Sequence, residues 1–483
     1  MLFNSFIFFI FLGAVLPLYY FLPKKAKNPL LLVASYVFYG YWDFRFVGLL
    51  ILSTLIDYFI GRKLFATADL KQRKVLLSLS MLANLGILGF FKYFGFFIDS
   101  LTPIAGIFGG NLDYLHLNII LPVGISFYTF QTMSYTIDIY RRKLEPTNNF
   151  IDFAVFVAFF PQLVAGPIER AKNLLPQIQK TPLPNKNQIE KGIVLIVTGL
   201  FKKVMIGDTT GRFVDHIFAQ PDIYSSPELL IALLLFSIQI YADFSGYTSI
   251  ARGTAKLLGI ELMKNFEQPY LSRNITEFWR RWHISLSTWL KDYLYISLGG
   301  NRKGESRTYL NLMITMVLGG LWHGASWNFV IWGGLHGIYL VVHKRTIKNK
   351  KVSEKIEIKG FTNFLKQLFF IVSTYLLVLI TWLFFRATSF ETASIFISKM
   401  VHWTASDYSM QLIGITLAYY VVVILFDFFE YYTGRHTFIL QLKSRPLAYG
   451  MLFCMFVVTL VFLFQSEPLP FILAPIKTEQ KNC

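Results

Sequence analysis

Long apolar runs recur along the whole chain, from Met1 to Gln465, and they constrain its fold more than any other feature. They lie near residues 1–22, 28–42, 46–60, 75–98, 118–140, 192–211, 228–248, 309–342, 367–386, 411–430 and 447–466. A membrane crossing needs about 20 apolar residues in a helix, which satisfies its own backbone hydrogen bonds where no water is available. The runs therefore predict an all-α polytopic membrane protein of eleven or twelve crossings, built as one continuous domain over 1–483. Composition agrees, with 54% hydrophobic residues, 49 of them Phe, and only 15% charged, which excludes an ordinary soluble domain. The first run has neither a basic leader nor a small-residue cleavage site, so it reads as a retained span rather than a signal peptide. Cys454 and Cys483 supply no disulfide framework and no metal-ligand spacing.

The net charge of +18 is distributed as topology rather than as a nucleic-acid surface. Lys24, Lys25 and Lys27 follow the first run, and Arg62, Lys63, Lys71, Arg73 and Lys74 follow the third. Between Lys92 and Arg141 there is no Lys or Arg, and none between Phe213 and Ala251. Basic loops remain on the cytoplasmic side, so the neutral segment with Asp99 and Asp113 is expected outside, together with the amino terminus. Arg141, Arg142, Lys143 and the basic stretch 343–359 return to the inside. The basic loops are read as topology signals that contact lipid headgroups.

Two runs are irregular. Tyr309 to Val342 holds 34 residues without a formal charge, too many for one crossing and cramped for two with a loop. Its small residues from Gly319 to Ser326 predict a break, and unwound backbone at membrane depth persists only when buried in protein or lining a wet cavity. The second is IDFAVFVAFFPQLVAGPIER, where Pro161, Gly166 and Pro167 end a short apolar stretch and suggest a re-entrant or interfacial hairpin. The expected arrangement is a helical bundle around a central cavity entered from water.

The segment 252–308 differs, with ten Lys or Arg and five acids between Arg252 and Arg307 and no stretch apolar enough to span. It is expected to form cytoplasmic interfacial helices. Asn274 suits an N-cap, with Glu277 three residues later completing a capping box. At helical spacing Trp279, His283, Leu286 and Leu290 would share one face, with Glu277 and Arg281 paired at i,i+4.

Two histidines lie within apolar sequence, His283 in FWRRWHISLSTWL and His323 in LGGLWHGASWNF. An ionisable group at membrane depth is costly and proposes a functional site. His323 falls at the expected helix break and carries the stronger claim, whereas His283 between tryptophans is as consistent with a structural role. His336 reads as a hydrogen-bonded packing residue. Asp243 and Ser245 read as interhelical hydrogen-bonding groups, with cavity lining second. GxSxG, HExxH, CxxC and glycine-rich phosphate loops are missing. What remains is a desolvated, neutral imidazole able to take a proton from an alcohol that attacks an activated acyl carbonyl.

Longer words in the chain give this reading a family. ASYVFYGYWDFRF, ILPVGISFYTFQTMSYTIDIYRR, FFPQLVAGPIER, QIYADFSGYTSIARG, NITEFWRRWHISLSTWLKDYLYISLGGNRKG and GLWHGASWNFVIWGGLHG together resemble the membrane-bound O-acyltransferases, in their polysaccharide O-acetylating, alginate O-acetyltransferase-like branch, with core motifs over 121–342. The resemblance weakens after residue 343. It implies that His323, in the WHG word, is the catalytic histidine and that His283 is a second active-site group, with no metal. It implies acetyl-CoA or a related acyl thioester as cytoplasmic donor and an extracytoplasmic polysaccharide as acceptor. A periplasmic acetyltransferase partner and a bacterial inner-membrane location follow from the same likeness. The competing classes are a proton-coupled transporter or channel using the same cavity and a scaffold of a polysaccharide export complex. The absence of a half-length internal repeat weighs against transport.

Overall fold

The computed structural model describes residues 1–117, 119–346, 360–405, 409–465 and 469. The basic stretch beyond residue 346 and Cys483 lie outside the described residues. Among the described residues each apolar run contains helix, that of 118–140 starting only at Ile125, and no strand occurs. Among the described residues five helices are long and apolar enough to cross a membrane unaided: Leu70–Ile107, Ser226–Leu257, Phe361–Arg386, Gln411–Thr433 and Arg445–Phe464. The helices of the other runs are shorter or more polar, as in Phe6–Phe21 with 16 residues and Lys24–Gly40 with 17. The chain is an all-α polytopic membrane protein.

The described residues fall into two compact units. One contains Met1–Val197 and Tyr247–Met263. Within it Asp57 is fully buried and accepts hydrogen bonds from Ser80 Oγ at 2.6 Å and Asn84 Nδ2 at 2.8 Å. Thr132 Oγ1 and Ser53 Oγ both donate to Asn84 Oδ1 at 3.1 Å. This polar knot joins the helices Arg45–Ala66, Leu70–Leu88 and Ile125–Tyr140, where shared hydrogen bonds supply a cohesion that lipid does not.

The IDFAVFVAFF segment in the same unit is a nine-residue helix, Phe150–Ala158, a bend at Phe159 and a short turn, Phe160–Leu163. Residues 153–160 are completely buried. Thirteen helical residues cannot cross a bilayer, as the hairpin expectation requires. The backbone groups released at the bend find side-chain partners. Phe160 N donates to Ser35 Oγ at 3.1 Å, while Gln131 and Gln162 both donate to the Phe156 carbonyl, at 2.5 and 2.9 Å.

The other unit contains Thr198–Gly246 and the described residues from Lys264 to 465. Its centrepiece is a helical hairpin. The 34-residue uncharged run divides into Glu305–His323 and Trp327–Thr346, each lengthened at its polar end beyond the apolar limits. Nineteen and twenty residues at 1.5 Å per residue reach roughly 30 Å, so two crossings fit where the apolar count alone looked cramped. Glycines let the arms touch backbone to backbone. A Cβ on Gly320 would lie 2.1 Å from the Phe329 carbonyl oxygen, and one on Gly333 2.3 Å from that of Met316. The break is at 324–326, inside the expected interval, and His323 is the last residue of the first arm.

Candidate active site

His283 is placed by a backbone that differs from the continuous helix expected around it. Asn274 caps the helix Ile275–Arg281 as expected, its side chain accepting from Glu277 N at 2.9 Å. The reciprocal bond reaches one residue further back, from Arg273 N to Glu277 Oε2 at 3.1 Å. Arg281 pairs with Glu277 at 2.8 Å as the spacing required. The helix then ends. Trp282 is extended, and His283 adopts φ 42° and ψ 55°, left-handed backbone that costs a non-glycine residue about 1–2 kcal/mol.

Non-local partners stabilise that break. Asn265, on the preceding extended segment, accepts from Ile284 N through its carbonyl at 2.9 Å and from Ser285 N through its side chain at 3.1 Å, starting a new helix at Ile284–Trp289. Ser287 Oγ donates back to the Trp279 carbonyl at 2.7 Å. Trp279, His283, Leu286 and Leu290 are all buried, but the left-handed turn and not a shared helical face buries His283.

The two histidines meet. Their ring centroids are 6.3 Å apart with planes inclined at 63°. Phe244, from the helix Ser226–Leu257, packs edge-on against His283 at 4.6 Å. Trp322, Trp332 and Phe385 surround His323 at 5.0, 5.1 and 5.3 Å. His283 has no solvent exposure and His323 is half-buried. Burial pushes the His283 imidazole down to about 3, so it is neutral at pH 7 and a weak proton acceptor. His323 is therefore the imidazole better placed to exchange protons with an incoming group.

His336 lies one ring further away, against Trp332 at 4.7 Å and Trp279 at 5.0 Å. Its Nε2 is 3.0 Å from Thr381 Oγ1 on the helix Phe361–Arg386, the packing bond expected of it. Phe385 and Trp382 come from that same helix, beyond the quoted motif words; Phe385 packs on His323, and Trp382 packs on Trp282, the residue before His283. No motif in the sequence distinguishes them from other span-end aromatics.

A family model described as membrane-bound O-acyltransferase matches residues 141–379, which include both histidines. Over 435 residues the chain is 41% identical to the probable alginate O-acetylase of Azotobacter vinelandii, covering 88% of this chain and 84% of that protein. Over 427 residues it is 38% identical to the peptidoglycan O-acetyltransferase of Helicobacter pylori, covering 81% and 79%. The chain belongs to the membrane-bound O-acyltransferase family. A more distant similarity, 30% over 247 residues, connects it to the teichoic acid D-alanyltransferase of Streptococcus thermophilus, covering 48% of this chain and 59% of that one. It is an O-acyltransferase, whose chemistry needs an acyl donor, an acceptor hydroxyl and a base.

This O-acyltransferase also keeps buried charges within the apolar run 192–211. Lys203 forms ion pairs with Asp208 at 2.6 Å and Asp243 at 2.5 Å, and Lys202 pairs with Glu430 at 2.7 Å. Asp243 thus holds an interhelical ion pair, and Phe244 beside it is the residue packed on His283. Both lysines occupy a π-helical turn, Phe201–Asp208, a distortion frequent near functional sites.

Proposed function

We propose that the protein transfers an acetyl group from a cytoplasmic thioester, acetyl-CoA or a related donor, to hydroxyls of an extracytoplasmic polysaccharide. The observation that carries this reading is the ring contact of His283 with His323 at a broken helix, in a chain about 40% identical to enzymes named for O-acetylation of alginate and of peptidoglycan. His323 is the general base. It takes the acceptor proton as oxygen attacks the thioester carbonyl. His283, neutral and locked by its backbone, packs against the His323 ring and orients the acceptor through hydrogen bonding. Collapse of the tetrahedral adduct expels thiolate, which recovers the proton from His323.

The membrane topology supporting this reading has the basic loops and segment 252–308 on the cytoplasmic side, where Lys and Arg attract donor phosphates, and the amino terminus outside. In a bacterial inner membrane the acyl group then crosses without its carrier, and a periplasmic acetyltransferase partner completes delivery to the polymer. The test is alkali- or hydroxylamine-released acetyl at the surface of cells carrying His323→Ala at the parental protein level. We expect loss of the ester; parental ester content would refute the reading.

A further inference from the structure

We propose that Trp332 is a catalytic hydrogen-bond donor, its indole N–H binding the oxyanion formed when the acceptor attacks the thioester carbonyl. The proposal rests on the reading of His323 as base. Trp332 lies in the second arm of the hairpin, 1% exposed, with its ring 5.1 Å from His323 and inclined at 78°. Indole nitrogen can only donate a hydrogen bond. No acceptor among the described residues lies within hydrogen-bonding reach of Trp332 Nε1. Folded proteins seldom keep such a donor buried without a partner, and an unfilled donor inside an enzyme site points to a ligand that supplies one.

Trp279 Nε1 also lacks an acceptor among the described residues, but its ring packs on Trp332 and His336 rather than on His323. Of these two, Trp332 is the one in ring contact with the proposed base, which Trp322 of the first arm also touches, at 5.0 Å. An alcohol held by His323 sits about 3 Å from an imidazole nitrogen, and the carbonyl it attacks is one forming bond further. A ring 5.1 Å from the imidazole centroid is within that span. As the C–O bond forms, the carbonyl π pair moves onto oxygen, the hydroxyl proton moves to His323 and the indole N–H meets the new negative charge. The oxyanion then reforms the carbonyl, the carbon–sulfur bond breaks and the thiolate takes the proton from His323.

The test is kinetic, on purified protein in lipid nanodiscs with acetyl-CoA as donor and an alginate oligosaccharide with the partner fraction as acceptor. Two substitutions remove the N–H: Trp332→Phe keeps an aromatic ring, and 3-benzothienylalanine at position 332 replaces N–H by sulfur in a bicycle of nearly the same shape. Removing one oxyanion donor lowers kcat about 10²–10³-fold. We expect that loss in both variants, with the donor KM within about threefold of the parent and an unchanged melting temperature. If Trp332→Phe does not insert stably, the benzothienyl variant decides. A benzothienyl variant with kcat within about threefold of the parent would overturn the proposal, as would a raised KM with unchanged kcat. His323→Ala measured alongside separates the two ideas: parental kcat there overturns the base itself, whereas its loss beside an active benzothienyl variant overturns only the role of Trp332.

Discussion

His283 and His323 bring their rings to 6.3 Å of one another although 40 residues separate them, and different devices hold each. His323 ends a helix whose neighbour Gly324 has no room for a side chain, since a Cβ there would lie 2.0 Å from the Phe329 ring. His283 is fixed by the left-handed turn between two short helices and by Asn265. The pair is positioned by backbone breaks, so changes far from the imidazoles can move them.

Protonating His283 should destabilise the fold. Its imidazole is held down at about 3 by burial, against an ordinary value near 6.5, so the unfolded chain binds the proton more readily between those limits. The stability attached to His283 is therefore complete above about pH 6.5 and falls steadily as pH drops toward 3. In thermal melts of detergent-solubilised protein, His283→Gln should flatten the decline in Tm between pH 6.5 and 4. Parallel pH profiles would contradict the burial argument.

The hairpin should discriminate between adjacent glycines. Gly333→Ala places a methyl 2.3 Å from the Met316 carbonyl oxygen, whereas a Cβ on Gly334 meets nothing within 4 Å. Overpacking of this kind costs about 1–3 kcal/mol or more. Fluorescence-detected size exclusion and thermal melts should show Gly333→Ala clearly weakened and Gly334→Ala at least as stable as the parent. Equal behaviour would mean that the arms do not pack backbone to backbone.

Removing Lys203 should be worse than removing its whole cluster. Lys203→Met leaves Asp208 and Asp243 buried without their shared cation, a loss of about 3–5 kcal/mol. Adding Asp208→Asn and Asp243→Asn neutralises the site and should recover most of the melting temperature. A triple variant no better than the single one would show that the charges are not coupled.

What the sequence made legible follows from where each signal resides. Burial in lipid is a matter of local composition, so the apolar runs, the glycine-rich break before Ser326, the Asn274 cap and the Glu277–Arg281 pair could all be read from neighbouring residues. The stop after Arg281 could not, because the acceptors that make it stable come from Asn265, outside the helical pattern being counted. Lys202 was hidden inside an apolar run because its partner Glu430 lies 228 residues away. Trp382 and Phe385 look like ordinary span-end aromatics until packing brings their helix to the histidines.

Acetyl transfer by His323 from one face of the membrane to the other can be measured in vesicles. Protein reconstituted in one orientation into vesicles, with radiolabelled acetyl-CoA sealed at the cytoplasmic face, is offered an alginate oligosaccharide and the partner fraction outside. Labelled ester is expected on the external acceptor, at a rate lowered at least about 10²-fold by His323→Ala, with the label inside unaltered as CoA thioester in the variant. Labelled acceptor formed equally fast with His323→Ala, or none formed by the parent protein, would contradict it.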